Sequence, residues 1–225
     1  MVWFRQVGGK LLRWLLYLLP VLLGLFLLLG WWGARLPSHA VMVQLLLVGG
    51  GTLQGRLREI ATGEDADKSG ALPRMFRQAV LETQRSRDGW SYGRVLIHSG
   101  NLSSAATQVD AWATQARAAF TVETTSNQQD GDETRGAALR PDDSPTVPGT
   151  PLYLAVTLTA QVSKAPPRLD SPLTASQEVA EVLTFLATLE GTDLDRVQVI
   201  WSPDTPGELL TEDQAIRKYP ELGKL

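Results

Sequence analysis

The residues able to do chemistry are few. His39 and His98 are the only histidines among 225 residues, and there is no cysteine. Disulfides, thiolate metal sites and thiol nucleophiles are therefore excluded. Gly50 and Gly55 have the spacing of a phosphate-cradling loop, but Arg56 and Leu57 follow where that loop needs Lys and then Ser or Thr. Without the ammonium and the magnesium-binding hydroxyl, a glycine-rich turn is the better reading. Asp65, Asp67, Ser69 and Gly70 match the opening of a calcium loop. However, Phe76 occupies the position of the bidentate Glu, and Pro73 interrupts the loop. His98 with a distant Ser and Asp would make a triad, yet no G-x-S-x-G elbow supports one. These residues assign no catalytic group, no cofactor-binding group and no metal ligand.

Charge and hydropathy are divided unevenly. The first 35 residues hold Arg5, Lys10, Arg13 and Arg35 and no acid, which leaves 17 Lys and Arg against all 24 Asp and Glu in the rest. An acidic domain without a basic run excludes a nucleic-acid partner, because phosphate neutralisation needs clustered Lys and Arg. From Trp14 to Ala34 no residue is charged. At about 1.5 Å per residue this is a helix of roughly 31 Å, enough to cross a hydrocarbon core of about 30 Å. Trp14 and Tyr17 at one end and Trp31 and Trp32 at the other suit the headgroup level. Pro20 is tolerated there as a kink. Residues 1–35 are thus expected to be a tail and a single transmembrane anchor, with the lipid bilayer as one partner. A cleaved secretory signal, cut near Ser38-His39-Ala40, is the rival, but the apolar stretch exceeds the usual h-region. Three basic residues before the span and one behind it place the N-terminus inside and the domain across the membrane.

The remainder, 41–225, reads as one compact α+β domain. Val41 to Val48 is apolar except for Gln44, a buried strand that ends at Gly49-Gly50-Gly51. A helix follows from Thr52 to about Ala61. Leu72, Met75, Phe76, Ala79 and Val80 recur on one face of the next helix, with Pro73 in its first turn. Trp90 to Ser99 reads as a strand, and Val109, Trp112, Ala113, Ala116 and Phe120 as a helical stripe. Between Thr124 and Thr150 periodicity is absent, so a mobile loop is expected, in which Asp130 and Asp132 are simply solvated. Leu152 to Ser163 alternates as a half-buried strand, with Tyr153, Thr157, Thr159 and Gln161 opposite the apolar set. Capping boxes at Thr174/Gln177 and Thr211/Gln214 open two more helices, the second stopped by Pro220. Between them Val197, Val199 and Trp201 form a strand. Helices packed on a small sheet of about four strands result, with Trp90, Trp112 and Trp201 in the core.

From Val197 the chain reads VQVIWSPDTPGELLTEDQAIRKYPELGKL. A strand ending in Trp-Ser-Pro, a gap with Gly, Leu-Thr-acid and then Tyr-Pro-x-Leu resembles the C-terminal signature of domain of unknown function fifteen-seventeen. This is a cyanobacterial and chloroplast family that includes the fluctuating-light acclimation protein of plants. The matching residues are Trp201, Ser202, Pro203, Gly207, Leu210, Thr211, Glu212, Tyr219, Pro220 and Leu222. TLQGRLREIA, GWSYG and FTVETTSN resemble earlier family blocks, so the likeness covers about 41–225. Many members carry a long glycine- and serine-rich N-terminal region that these 225 residues do not contain.

The resemblance implies a protein of photosynthetic membranes, thylakoid or plasma membrane, that adjusts proton-gradient-dependent photoprotection as light changes. It carries over no catalytic residue. Trp201, Pro203, Thr211, Tyr219 and Pro220 are expected to be structural, forming a close-packed corner. The reading that results is a membrane-anchored, non-enzymatic regulatory or scaffolding protein that acts through other membrane proteins. A membrane-anchored hydrolase whose site assembles only in the fold is the alternative. A retained anchor predicts that membrane-extracted protein keeps residues 1–40 by intact mass and resists alkaline carbonate. A mature N-terminus at Val41 overturns it.

Overall fold

The apolar run at Val41 is the middle of a longer strand, β1, which spans Pro37–Val48. Its first residues are small or polar, so an apolar run does not reveal them. The structure, a computed structural model, describes residues 37–65, 68–126, 149–169 and 176–225, without the side chains of 120–126. The expected span Trp14 to Ala34 lies outside the described residues, as do Asp67, Asp130, Asp132 and Thr174. No helix among the described residues is long and apolar enough to cross a membrane.

The elements that follow β1 are α1 (Gly51–Gly63), α2 (Ala71–Arg85), β2 (Trp90–Asn101), α3 (Leu102–Ser126) and β3 (Tyr153–Val162). Then come α4 (Ser176–Thr188), β4 (Leu194–Ser202), α5 (Glu212–Lys218) and β5 (Gly223–Lys224). The sheet has five strands in the order β4-β3-β1-β2-β5, one more than expected because the two-residue β5 adds to the edge of β2. Every pairing is antiparallel. Helix α3 continues to Ser126, so the segment without periodicity begins as helix.

Alternation along the strands gives the sheet two chemically different faces. One carries Val41, Val43, Leu45 and Leu47 from β1 with Leu154, Val156, Leu158 and Ala160 from β3. Leu53 and Leu57 of α1, Phe76 and Val80 of α2, and Val179, Val182, Leu183 and Leu186 of α4 close over it as the main core. The other face carries Ala40, Met42, Gln44 and Leu46, and it is covered by α3 through Ala105, Val109 and Trp112. Near the C-terminus, Tyr153, Leu210, Ala215 and Tyr219 gather around Leu46. Strand β3 is therefore buried on both faces along its whole length, not half-buried. Its polar set, Thr157, Thr159 and Gln161, lies beneath α3, a layer that alternation alone does not announce.

Apart from Thr159 Oγ1, the buried polar side chains on this second face are held by one another and by nearby backbone, as their desolvation demands. Gln161 Nε2 donates to Ser38 Oγ at 3.2 Å and to the Leu102 carbonyl at 2.9 Å, which ties the start of α3 to the sheet. Asn101 Oδ1 caps the same helix by accepting from Ser104 N at 2.8 Å. Leu72 departs from the expected stripe: it is 50% exposed, while Phe76, Ala79, Val80 and Thr83 form the buried face of α2. It lies in the first turn, beside residues 194–198 of β4. Trp90 and Trp112 are core residues as expected; Trp201 is only half-buried, packed against the rim of the main core.

Gly50 shows why the glycine-rich turn exists. A Cβ on Gly50 would sit 2.4 Å from Leu154 Cβ, an atom fixed to the sheet, whereas a Cβ on Gly55 meets nothing within 4 Å. Packing against β3 thus demands Gly50, and Gly55 is only a flexible helical position. Gly50→Ala should lower stability by about 1–3 kcal/mol through overpacking. Gly55→Ala should raise it by about 0.5–1 kcal/mol, since its helix entropy cost falls. Guanidinium unfolding of the full chain in mild detergent, read by tryptophan fluorescence, checks the opposite signs.

Candidate functional site

After β4 the chain turns through residues 203–211, and a buried glutamine from another helix shapes that turn. Gln54, 2% exposed on α1, donates from Nε2 to the carbonyls of Pro203 (2.8 Å), Thr205 (2.9 Å) and Glu208 (3.2 Å). Its Oε1 accepts from Gly207 N at 3.0 Å. Gly207 adopts φ 81°, where a Cβ is disfavoured, and Pro203 follows a cis peptide bond. Arg58, one turn further along α1, donates to the Asp204 carbonyl. The turn then rejoins the sheet, with Tyr153 and Leu210 exchanging two backbone bonds of 2.8 Å.

Thr211 starts α5 with the expected capping box: its Oγ1 accepts from Gln214 N at 3.3 Å, and Gln214 Oε1 accepts from Thr211 N at 2.9 Å. Helix α5 ends at Tyr219, which is 4% exposed beside Leu46 and Leu210. The last residues run back along β2, where Lys224 pairs with Tyr92 and Leu225 N donates to the Ser91 carbonyl at 3.0 Å.

This return path closes a cleft of about 260 Å³ on the polar face of the sheet. Met42, Gln44 and Arg94 form its floor, Trp112, Gln115, Ala116 and Ala119 of α3 one wall, and Arg217 to Glu221 the other. Arg94 is the central charge. Its Nε donates to Gln44 Oε1 at 3.2 Å, and its Nη2 lies 3.0 Å from Glu221 Oε1. Gln44 is itself oriented by donating to Thr157 Oγ1 at 3.0 Å. Burial pushes the Arg94 guanidinium below its ordinary value, with the Glu221 carboxylate working in the opposite direction. The arrangement is a positioned guanidinium beside a polar and a small apolar wall, suited to holding an anion.

The family description "Protein of unknown function (DUF1517)" matches residues 38–225. The chain belongs to this family. It is also 30% identical over 186 residues to Protein FLAP1 homolog A of Synechocystis sp.. That stretch covers 79% of this chain and 54% of the relative, so the chain spans about half the length of the curated relative it matches. No solved structure matches.

In this DUF1517 chain the signature residues meet in one place. Trp201, Ser202 and Pro203 lead into the Gln54-bound turn, Gly207 and Leu210 complete it, and Thr211 caps α5. Tyr219 fills the small second core, and Pro220 is exposed on the cleft wall. The histidines stand apart from the cleft. His39 Nδ1 and Ser99 Oγ share a hydrogen bond of 2.8 Å, and His98 Nε2 and Ser104 Oγ one of 2.7 Å. A Cβ on Gly100 would lie 3.0 Å from Ser104 Oγ and 3.3 Å from His98 Nε2, so the second pair is packed under backbone. Among the described residues no group of three His, Asp and Glu side chains is placed to hold a metal ion.

Gln54, Arg94 and Glu221 were not singled out by sequence reasoning. The one signal was Gln44, the polar interruption of an apolar strand, whose side chain must find partners once buried. Gln54→Glu removes the two amide hydrogens and sets a carboxylate against three carbonyl oxygens. It should cost about 1–3 kcal/mol or more, as for a buried charge that loses its partners. Gln78→Glu, at an exposed position of α2, should change stability by less than about 0.5 kcal/mol. Equal unfolding midpoints for the two variants contradict the Gln54 assignment.

Proposed function

We propose that the chain is a membrane-anchored, non-enzymatic regulatory or scaffolding protein of photosynthetic membranes. It acts through protein partners in acclimation to fluctuating light, and the process it tunes is proton-gradient-dependent photoprotection. The observation that carries this reading is the 30% identity over 186 residues to a protein named as a FLAP1 homolog from a cyanobacterium. The uncharged stretch from Trp14 to Ala34 supports the anchor. The thylakoid or the plasma membrane of a phototroph is its place, with the N-terminus inside. A hydrolase remains the second reading, because Ser104 and His98 are in hydrogen-bond contact.

A cyanobacterium from which the homologous gene has been deleted tests these together. The strain should grow normally in constant light and more slowly when light alternates. The full chain and its Ser104→Ala variant should both restore growth, and the chain should remain in the pellet after alkaline carbonate. Normal growth of the deletion strain in alternating light rejects the regulatory reading. Failure of Ser104→Ala to complement, with labelling of the wild-type serine by a fluorophosphonate, selects the hydrolase.

A further inference from the structure

We propose that the cleft between α3 and the C-terminal segment binds a small organic carboxylate, held by Arg94 in place of the Glu221 side chain. The inference rests on the cleft alone and is independent of the membrane and light-acclimation reading.

The first support is the preorganisation of Arg94. It projects from the polar face of β2 with its side chain 18% exposed, and Gln44 and Thr157 fix its orientation in a chain of bonds across three adjacent strands. A guanidinium offers five N–H donors in a rigid fork that matches a carboxylate, and Gln44 and Glu221 account for two of the nitrogens. Most of the ordering cost of such a contact is thus met before a ligand arrives.

The second support is that the protein already presents a carboxylate to this guanidinium. Glu221 reaches Arg94 at 3.0 Å from a side chain that is itself 30% exposed. The segment carrying it is held beyond α5 by the two residue pairs of β5, Tyr92 with Lys224 and Gly93 with Gly223, and by the backbone bonds of Leu222 and Leu225. Among the described residues the Glu221 side chain itself is tied only to Arg94. A carboxylate bound to a nearly buried guanidinium, yet mounted on a short exposed connection, is replaceable by one from outside.

The third support is the character of the walls. Arg94 and Arg217 line the cleft with Glu221 as the one acid among its described lining residues, although the chain as a whole has a formal net charge of −3. Met42, Trp112 and Ala116 supply an apolar side for the body of the ligand. The volume of about 260 Å³ lies below the roughly 300–1,000 Å³ of sites for drug-sized molecules. The occupant is therefore a compact acid with a short apolar part, and not a nucleotide or a peptide.

Isothermal titration of the full chain in mild detergent tests this with benzoate, its neutral isostere benzamide, and inorganic phosphate. Benzoate should bind one to one with a dissociation constant of about 1 mM, and benzamide should give no heat. Glu221→Gln should tighten benzoate about tenfold, because the internal competitor is gone. Arg94→Lys, which keeps the charge but loses the fork, should weaken it about tenfold in the Glu221→Gln background. Arg217→Gln, on an exposed position at the rim, should weaken it about twofold or threefold without affecting folding. Benzoate binding that Glu221→Gln fails to tighten overturns the proposal. So does absence of benzoate heat in both proteins, equal binding of benzamide, or phosphate binding tighter than benzoate.

Discussion

A sheet covered on both sides has no solvent face, so each polar side chain on its central strands must be satisfied by protein. Strands β1 and β3 meet this constraint with an unequal division and one exception, Thr159 Oγ1: one face is hydrocarbon from Val41 to Leu47 and from Leu154 to Val162, and the other carries Gln44, Thr157, Thr159 and Gln161. The polar face then dictates what lies upon it. Gln161 fixes the beginning of α3 through the Leu102 carbonyl, and Gln44 fixes Arg94. Held in this partly buried position, the Arg94 guanidinium in turn draws the carboxylate of Glu221 to it. The chain of demands that begins with one amide in an apolar strand ends by positioning the C-terminal residues.

The turn after β4 follows a similar logic through Gln54. Backbone carbonyls that leave a sheet lose their ladder partners, and three of them are collected by a single amide group. The family signature reads sensibly in these terms. Its glycine supplies a backbone conformation and an N–H for Gln54, its threonine starts a helix, and its tyrosine fills the space between that helix and Leu46. Three buried polar side-chain atoms among the described residues have no hydrogen-bond partner in the protein: Arg77 Nε, Thr159 Oγ1 beneath α3 and Trp201 Nε1 at the margin of the main core.

The order of strands and helices was legible because periodicity and caps are local. Val156 and Leu158 alternate with polar neighbours, Phe76 and Val80 recur at helical spacing, and the Thr211 box is complete within four residues. Which face of β3 would be wet was not legible, because α3 alone decides it. Leu72 shows the same gap from the other side: its spacing fits the helix, but no element among the described residues covers it in the first turn, and it stays exposed. The cleft was the least visible feature. Gln54 meets carbonyls about 150 positions away in sequence (|i−j| of 149 to 154), and Arg94 meets an acid on the final segment. No window on the sequence contains both halves of either contact. The glycines were legible as a turn, while their reason, the approach of Gly50 to Leu154, belongs to tertiary packing.

Strand order also has a consequence for synthesis. The central strand β1 is the first strand of the domain to be made, and its partner β3 follows about a hundred residues later, Gln44 and Thr157 being 113 positions apart. At roughly 5–20 residues per second, a ribosome needs about 6–23 s to cover that interval. During it the most apolar strand of the domain has only β2 to pair with, and one of its edges is open. A nascent chain in this state is a template for intermolecular strand addition. The burial that makes β1 the centre of the finished sheet makes it, for those seconds, the segment most in need of a chaperone.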